Sequence, residues 1–252
     1  MQNLRVATKG ILARVEERTG KTIQFMRDEQ LKVLATLQMA RNGAGFHVLR
    51  YRPSNEPLDY LIAYQAGYVL RLFENEPSER FDFLPKPDAD KEVAALVTPT
   101  LSMTPADRKV LPKFSDFVAQ WALMTLRSLP VGMRIDRCIA DDYPELKELQ
   151  RDSIAVQQQQ NMSVMAFKMA KLTVPATLMA MPAAHALFAD QLDADSSFAV
   201  PFEATGLLTL GKELMRVMDE VPADAQHDRE LVDRWAETLG MTGWYDWILY
   251  RP

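Results

Sequence analysis

The order of apolar and polar positions predicts a strand followed directly by a buried helix. Residues 46–53, FHVLRYRP, alternate apolar and polar side chains, as is typical of a half-buried strand. The next stretch, EPLDYLIAYQAGYVLRLF (residues 56–73), has the apolar spacing of a core helix. Ser54 or Asn55 is predicted as its N-cap, and Pro57 falls in its first turn, where a missing N–H is tolerated.

The remaining patterns are mostly helical. Residues 22–42 place apolar side chains between charged ones and predict a helix that ends before Gly43 and Gly45. A short strand is predicted at residues 80–84, inside an irregular connection rich in proline and charge. Further helices are predicted at residues 114–127, 130–140, 145–160, 162–172, 175–191, 207–219 and 228–239, before an aromatic tail at residues 243–250. The predicted fold class is therefore α+β and predominantly helical.

Two domain divisions fit these patterns. A boundary near residues 85–105 would separate an N-terminal region, residues 1–95, from a helical region, residues 96–252. One continuous domain fits the same patterns, because a chain of 252 residues is long enough for either arrangement.

Composition and charge narrow the class of protein. The net charge of −5 argues against a chain-wide contact with nucleic acid. The apolar segment at residues 172–190 holds two prolines and a histidine, so we expect buried core helices there and no membrane role. The first twenty residues lack the apolar stretch of a secretion signal, and a single cysteine fits a reducing compartment. A cytoplasmic protein is the expectation.

The predicted core helix contains a polar pentad, Tyr64-Gln65-Ala66-Gly67-Tyr68. Tyr64 and Tyr68 are four residues apart, so they lie on the same face of the helix. Gly67 in the middle of a helix costs about 1 kcal/mol relative to alanine. A glycine at such a position indicates that another element packs close to the backbone.

The pentad resembles the active-site helix of a zinc peptidase whose metal ligands have been replaced. Zinc peptidases place two histidines four residues apart, with a glutamate directly after the first as general base. In ImmA/IrrE-type metallopeptidases the helix reads His-Glu-x-Gly-His after a short strand and an apolar run. Here Tyr64 and Tyr68 stand at the two histidine positions, Gln65 stands at the glutamate position, and Gly67 matches the glycine. The resemblance covers residues 45–73.

The replaced residues decide what the resemblance implies. A phenol with a pKa of about 10 is protonated at neutral pH and is a poor zinc ligand. Gln65 has no titratable proton and cannot act as a base. The resemblance therefore implies a pseudoenzyme, with no catalytic residue, no metal and no cofactor, in which a small strand element packs on a zincin-like helix. The residues alone fit equally well a core helix with two packed tyrosines.

The family resemblance also implies a function and a partner. Members of this family cleave or control transcriptional repressors and damage-response regulators. For this chain we expect a catalytically inactive binding or regulatory protein of bacterial or phage origin, with a protein partner. A homo-oligomer stays open as well.

Two other function classes fit the sequence. One is a helical enzyme whose site uses Asp141 and Asp142, or the acids between Asp190 and Asp195. We expect the second group to be a solvated loop, because it lacks the glycine and final glutamate of an EF-hand. The other class is a DNA-associated regulator, which the negative charge disfavours.

Other reactive residues give no recognisable site. His47, His185 and His227 share no metal-ligand spacing. Cys138 has Arg134 and Arg137 nearby, and such cations lower a thiol pKa, yet a buried structural cysteine is the expectation.

Two groups of large side chains have structural interpretations. The methionines at positions 162, 165 and 169 are spaced like a helical core stripe. The aromatic residues of the C-terminal stretch could anchor an interface or close the core, so we expect truncation there to unfold the protein or break an assembly. They are Trp235, Trp244, Tyr245, Trp247 and Tyr250.

Overall fold

The computed structural model describes residues 4–31, 33–53, 58–97 and 104–252. Within these ranges the protein is α+β, as predicted, and helices with their 3-10 turns hold 62% of the residues. The predicted N-cap of the second helix, Ser54 or Asn55, and Pro57 lie outside the described residues. The helices are α1 (Val6–Thr19), α2 (Asp59–Glu74), α3 (Ala89–Val97), α4 (Pro105–Asp142), α5 (Lys147–Met165), α6 (Ala180–Leu192), α7 (Val200–Ala204), α8 (Leu208–Glu220) and α9 (Asp228–Leu239). The strands are β1 (Thr22–Arg27), β2 (Ala35–Gln38), β3 (Phe46–Tyr51), β4 (Phe81–Pro85), β5 (Lys168–Met169), β6 (Leu172–Thr173) and β7 (Tyr245–Leu249).

A three-stranded sheet carries the strand and helix that the sequence predicted. Its order is β1-β3-β2, with β1 parallel and β2 antiparallel to the central β3. The alternating pattern of residues 46–53 buries His47 and Leu49 on the side that faces α1 and α2. Asp59, the first residue of α2, accepts hydrogen bonds from the Arg5 N–H and the Thr8 hydroxyl, both at 2.7 Å, and so joins α2 to α1.

The prediction of a helix over residues 22–42 is wrong. The segment forms β1 and β2 in place of a helix. In β1 the side chains of Ile23 and Phe25 are partly buried against the helices, while Thr22 and Gln24 point to solvent. This period of two was present in the sequence, whereas the apolar residues of the whole segment fall at irregular intervals that no single helix face collects.

Helix boundaries differ from the predictions at two prolines and one hairpin. Residues 114–127 and 130–140 belong to one helix, α4, which contains Pro112 and Pro130. Thr104 and Asp107 form a capping box that fixes its start. The helix predicted at residues 162–172 is wrong after Met165, because β5 and β6 form a tight hairpin with Ala170 at φ +54°.

The predicted strand at residues 80–84 is confirmed as β4, and its partner comes from the aromatic tail. β4 pairs antiparallel with β7, with Phe83 opposite Trp247. Tyr250 follows β7, and its hydroxyl donates to the Ala40 carbonyl. The tail therefore reaches both the β4 strand and the end of β2.

The hydrophobic interior contains two large clusters. One lies among α3, α4, α6, α8 and α9 and includes the fully buried Trp235. The other joins α1 and α2 to the C-terminal half of α4, with Tyr60, Ile135 and Tyr250 among its members. This second cluster combines residues from both sides of position 95, while the division of the chain into two regions there stays a prediction.

Candidate functional site

The two tyrosines of the pentad point at α4. The Tyr64 and Tyr68 hydroxyl oxygens lie 2.9 Å apart, and the Tyr68 hydroxyl donates to the Ser128 carbonyl at 2.9 Å. Because each hydroxyl has one proton, Tyr64 is the donor to Tyr68. The pair thus forms a directed hydrogen-bond chain that ends on the backbone of α4.

Two glycines allow this close approach. A Cβ on Gly67 would lie 2.5 Å from Cγ2 of Ile135, which confirms that another element packs against this glycine. A Cβ on Gly132 would lie 2.1 Å from the Tyr64 hydroxyl oxygen and 2.6 Å from that of Tyr68. Sequence reasoning missed Gly132, because it had no indication that α4 crosses α2 at this point.

A third tyrosine of α2 is hydrogen-bonded to a buried carboxylate. Tyr60, one turn before Tyr64, donates to Oδ1 of Asp136 at 2.7 Å, and the Gln150 amide donates to the same oxygen at 2.9 Å. Burial raises the pKa of Asp136 to about 6, although these two hydrogen bonds favour the ionised form. The spacing of Tyr60, Tyr64 and Tyr68 was visible in the sequence, but their partner on α4 was not.

The edge of the sheet next to α2 offers unpaired backbone groups. β2 is an outer strand, and the Arg52 N–H donates to the Leu34 carbonyl at 2.9 Å. In an antiparallel pair, the backbone N–H and C=O groups of every second residue point at the partner strand. Those of Thr36 and Gln38 therefore also point at β3. The N–H and C=O groups of Ala35, Leu37 and Met39 therefore point away from the sheet.

Gln65 links this edge to the pentad. Its amide nitrogen lies 3.5 Å from the Ala35 carbonyl, at the limit of a hydrogen bond. The Met39 carbonyl accepts from the Arg41 guanidinium at 3.3 Å. Between these two contacts, no hydrogen bond from the described residues reaches the outward backbone groups of Leu37.

A cleft of about 410 Å³ lies between the β2 edge and the rest of the molecule. Tyr64, Gln65 and Tyr68 line it, so the structure brings three of the four predicted positions to one cavity, while Gly67 faces Ile135 instead. Its other walls come from β4, β7, the middle of α4 and the start of α9. They include Phe81, Phe83, Met124, Arg127, Val131, Arg229 and Trp247.

Ion pairs fix the charges around the cleft. The Arg71 guanidinium makes a two-bond contact with Asp228, at 2.6 and 2.7 Å, and Arg134 donates to the same carboxylate at 2.9 Å. At the end of β2, Arg41 makes a two-bond contact with Asp82 at 2.9 and 2.6 Å. Asp228 and Asp82 are therefore neutralised within the wall.

The donor set does not fit a zinc ion. Burial raises the pKa of both Tyr64 and Tyr68, so both phenols are protonated at neutral pH, and their oxygens are engaged with each other and with Ser128. In the part of the chain that the structure describes, no three side chains of the types His, Cys, Asp and Glu are grouped to hold a metal.

The other candidate acids are scattered. Asp190 accepts hydrogen bonds from Ser196 and from the Phe198 and Ala199 N–H groups, which makes it a local cap for the turn before α7. Asp141 and Asp142 are exposed at the end of α4 and do not line the cleft. An enzyme site that uses either group stays a prediction.

The cysteine and two of the histidines lie outside the cleft. Cys138 is exposed on α4, contrary to the expectation of a buried cysteine, and partial burial of its thiol raises its pKa despite nearby Arg71. His47 and His185 are buried, with pKa values lowered to about 4 by burial, so both are neutral at physiological pH. None of these three side chains lines the cleft.

The remaining groups pack as structural elements. Met162 and Met165 of α5 and Met169 of β5 pack against the large cluster of the helical part, but the prediction of a single helical stripe is wrong because α5 ends at Met165. In the aromatic tail, Tyr245 and Trp247 both donate to Oδ1 of Asp233, at 2.6 and 2.7 Å.

Comparison with known protein families, with curated proteins and with solved structures finds no match for this chain. No helix among the described residues is long and apolar enough to cross a membrane.

Proposed function

We propose that this protein is a non-catalytic binding protein, similar to an ImmA/IrrE-type metallopeptidase whose metal site has been replaced, and that its cleft holds an extended segment of a protein partner. The observation that carries the proposal is the position of the cleft. It lies on Tyr64, Gln65 and Tyr68, beside an outer strand with outward backbone groups.

The chemistry of the cleft supports binding in place of hydrolysis. Gln65 keeps the size of a glutamate but cannot take a proton, and the two phenols stay protonated. Aromatic side chains at the opposite wall, Phe81, Phe83 and Trp247, supply apolar surface for a ligand. The site therefore has groups that recognise a peptide and lacks groups that would activate water.

The outward backbone of Leu37 supports the extended conformation. An added strand would accept a hydrogen bond from the Leu37 N–H and donate one to its carbonyl, as in other cases where a peptide joins a sheet edge. Gln65 stands beside this edge and has both a donor and an acceptor.

A matched pair of variants tests this proposal. Peptides of about twelve residues would be selected on the wild-type protein from a random library displayed on phage, and their affinities would be measured by fluorescence anisotropy. Leu37→Pro and Leu37→Ala remove the same side chain, but only the proline removes the outward N–H. We expect Leu37→Pro to weaken binding about tenfold more than Leu37→Ala does.

Thermal unfolding of both variants controls for folding. If the selected peptides bind the two variants equally, or if the wild-type protein selects no peptide, the proposal is wrong. Binding that requires added zinc would also contradict it.

A further inference from the structure

Arg127 differs from the other arginines that line the cleft because it has no charged partner among the described residues. It is exposed on α4, and it makes no ion pair within the described part of the chain. In contrast, Arg71 is bound to Asp228, and Arg229 lies over the Phe81 ring at 4.5 Å with Asp233 at 3.7 Å. Glu79 also lines the cleft without an ion pair among the described residues, but it lies beyond the end of α2 and does not pair with Arg127.

The neighbours of Arg127 leave its charge uncompensated. Tyr68 is close enough for the guanidinium to act on its phenol, yet burial keeps the phenol pKa raised and the group neutral. Ser128 has no charge to offer, since its carbonyl accepts from Tyr68 and its hydroxyl donates to the Met124 carbonyl. A cation in this position attracts an anion from a bound ligand.

Arg127 also stands where the cleft meets a second cavity. This cavity, of about 460 Å³, shares Phe83, Met124 and Arg127 with the first. Ala119 and Leu123 add apolar surface to it, and Met124 is 64% exposed between the two cavities. A flexible methionine at such a junction can adapt to an inserted side chain.

The charges of the second cavity restrict where an anion can bind. Asp90 and Asp116 line it, and Lys86 is held by Asp246 at 3.1 Å. A carboxylate inside this cavity would meet like charges, whereas the three side chains that both cavities share include a single charged one, Arg127. The charge pattern thus favours an anion at the junction and an apolar group inside the second cavity.

We propose that the bound segment carries an aspartate or glutamate side chain that pairs with Arg127, and that an adjacent apolar side chain enters the second cavity. This inference rests on the proposed function, since it names the chemistry of the segment that the cleft binds. In this proposal Arg127 selects the partner, and the β2 edge binds the backbone of the bound segment.

Parallel selections from one peptide library test the inference. The random library would be selected on the wild-type protein, on Arg127→Glu and on Lys113→Glu. Lys113 is exposed on the same helix and lines neither cavity, so its variant matches the change in net charge. We expect an acidic residue at a fixed position in peptides from the wild-type protein and from Lys113→Glu, and a basic residue there from Arg127→Glu.

Binding measurements on one selected peptide complete the test. Arg127→Glu should weaken its binding about tenfold at low salt, and less at high salt. Replacing the acidic residue of the peptide by its amide should remove most of this difference. Arg127→Gln, whose unfolding midpoint would be compared with that of the wild-type protein, serves if the glutamate variant does not fold.

Two results separate this inference from the proposed function. Peptides that depend on Leu37 but show no acidic bias, and that bind Arg127→Glu normally, would overturn the role of Arg127 and leave the cleft as a binding site. Peptides that are insensitive to both Leu37→Pro and Arg127→Glu would overturn both.

Discussion

At the scale of single residues, Tyr64 and Tyr68 of α2 form the floor of the cleft, and their position depends on how closely α2 approaches α4. Gly132 provides the space into which the Tyr64 and Tyr68 hydroxyls fit, and Gly67 provides the space for Ile135. The hydrogen-bond chain that ends on Ser128 forms only at this separation. Packing between α2 and α4 therefore holds the two tyrosines in place without a bound ligand.

A substitution at Gly132 tests this close approach. In Gly132→Ala the new methyl group would overlap the Tyr64 hydroxyl, so we expect a loss of about 1–3 kcal/mol in the free energy of unfolding. Gly10→Ala is the matched control, because Gly10 lies inside α1 with no atom within 4 Å of an added Cβ. The control should gain about 0.5–1 kcal/mol from helix propensity. Urea unfolding measures both, and equal effects would refute the role given to Gly132.

The second residue-scale prediction concerns the buried carboxylate of Asp136. Its pKa in the folded protein is about 6, above the value of about 3.9 in an unfolded chain, so the folded state binds the proton more tightly. The unfolded state therefore binds fewer protons between these pKa values, and this group lowers stability as the pH rises through that window. Above it, the penalty is about 3 kcal/mol.

Asp136→Asn isolates this effect. The amide oxygen can keep the hydrogen bonds from Tyr60 and Gln150, which both go to one carboxylate oxygen, while the charge is lost. We expect the stability of Asp136→Asn relative to wild type to rise by about 2 kcal/mol between about pH 4.5 and about pH 7.5. Tyr60→Phe should shift the wild-type pH profile to higher pH, since it removes a hydrogen bond that lowers the Asp136 pKa. A relative stability that is independent of pH would contradict the assignment.

At the scale of elements, the sequence predicted the floor of the cleft better than its walls. The helix after residues 46–53 has a regular period of 3.6, which local pattern reports well. The strand at residues 46–53 is also present, but its alternation gave the wrong buried face, because His47 and Leu49 are buried while Phe46 is exposed. The prediction for residues 22–42 failed because the segment holds two short strands, so apolar spacing over the whole segment mixed two patterns. The pairing of β4 with β7 joins residues far apart in sequence, and no local pattern reports such a contact.

Strand β7 gives an element-scale prediction. The strand and the residues that flank it place three buried aromatic side chains, Trp244, Tyr245 and Tyr250, against the two large hydrophobic clusters. Each fully buried side chain of this size contributes about 3 kcal/mol, and the sum is comparable to a typical total stability of about 5–15 kcal/mol. A protein that ends at residue 242 should therefore show no cooperative unfolding transition.

A shorter truncation is the control for this experiment. Removal of residues 251 and 252 deletes the carbonyls that accept from the Asn42 and Gly43 N–H groups, but leaves β7 intact. We expect it to keep a cooperative transition in near-ultraviolet circular dichroism. Cooperative unfolding of the longer truncation would show that β7 is dispensable for the fold.

At the scale of the whole molecule, the cleft is assembled from segments that are distant in sequence. Its lining comes from the β2 edge, α2, β4, the middle of α4, the start of α9 and Trp247 of β7. Sequence reasoning found only the part on α2, because Tyr64, Gln65 and Tyr68 are close together in one helix. Arg127 could not be found in this way, since only the folded chain places it beside Tyr68 and at the junction of two cavities.

The proposed peptide site is tested most directly by amide hydrogen exchange with and without a peptide selected on the wild-type protein, in buffer that contains EDTA. Mass spectrometry would compare exchange across the chain. We predict slower exchange in residues 35–39, with a smaller effect in the residues of α2 and α4 that line the cleft, and no change in α6 and α8. Peptide binding that EDTA abolishes, or protection confined to segments outside the cleft, would contradict a metal-independent binding site between α2 and the β2 edge.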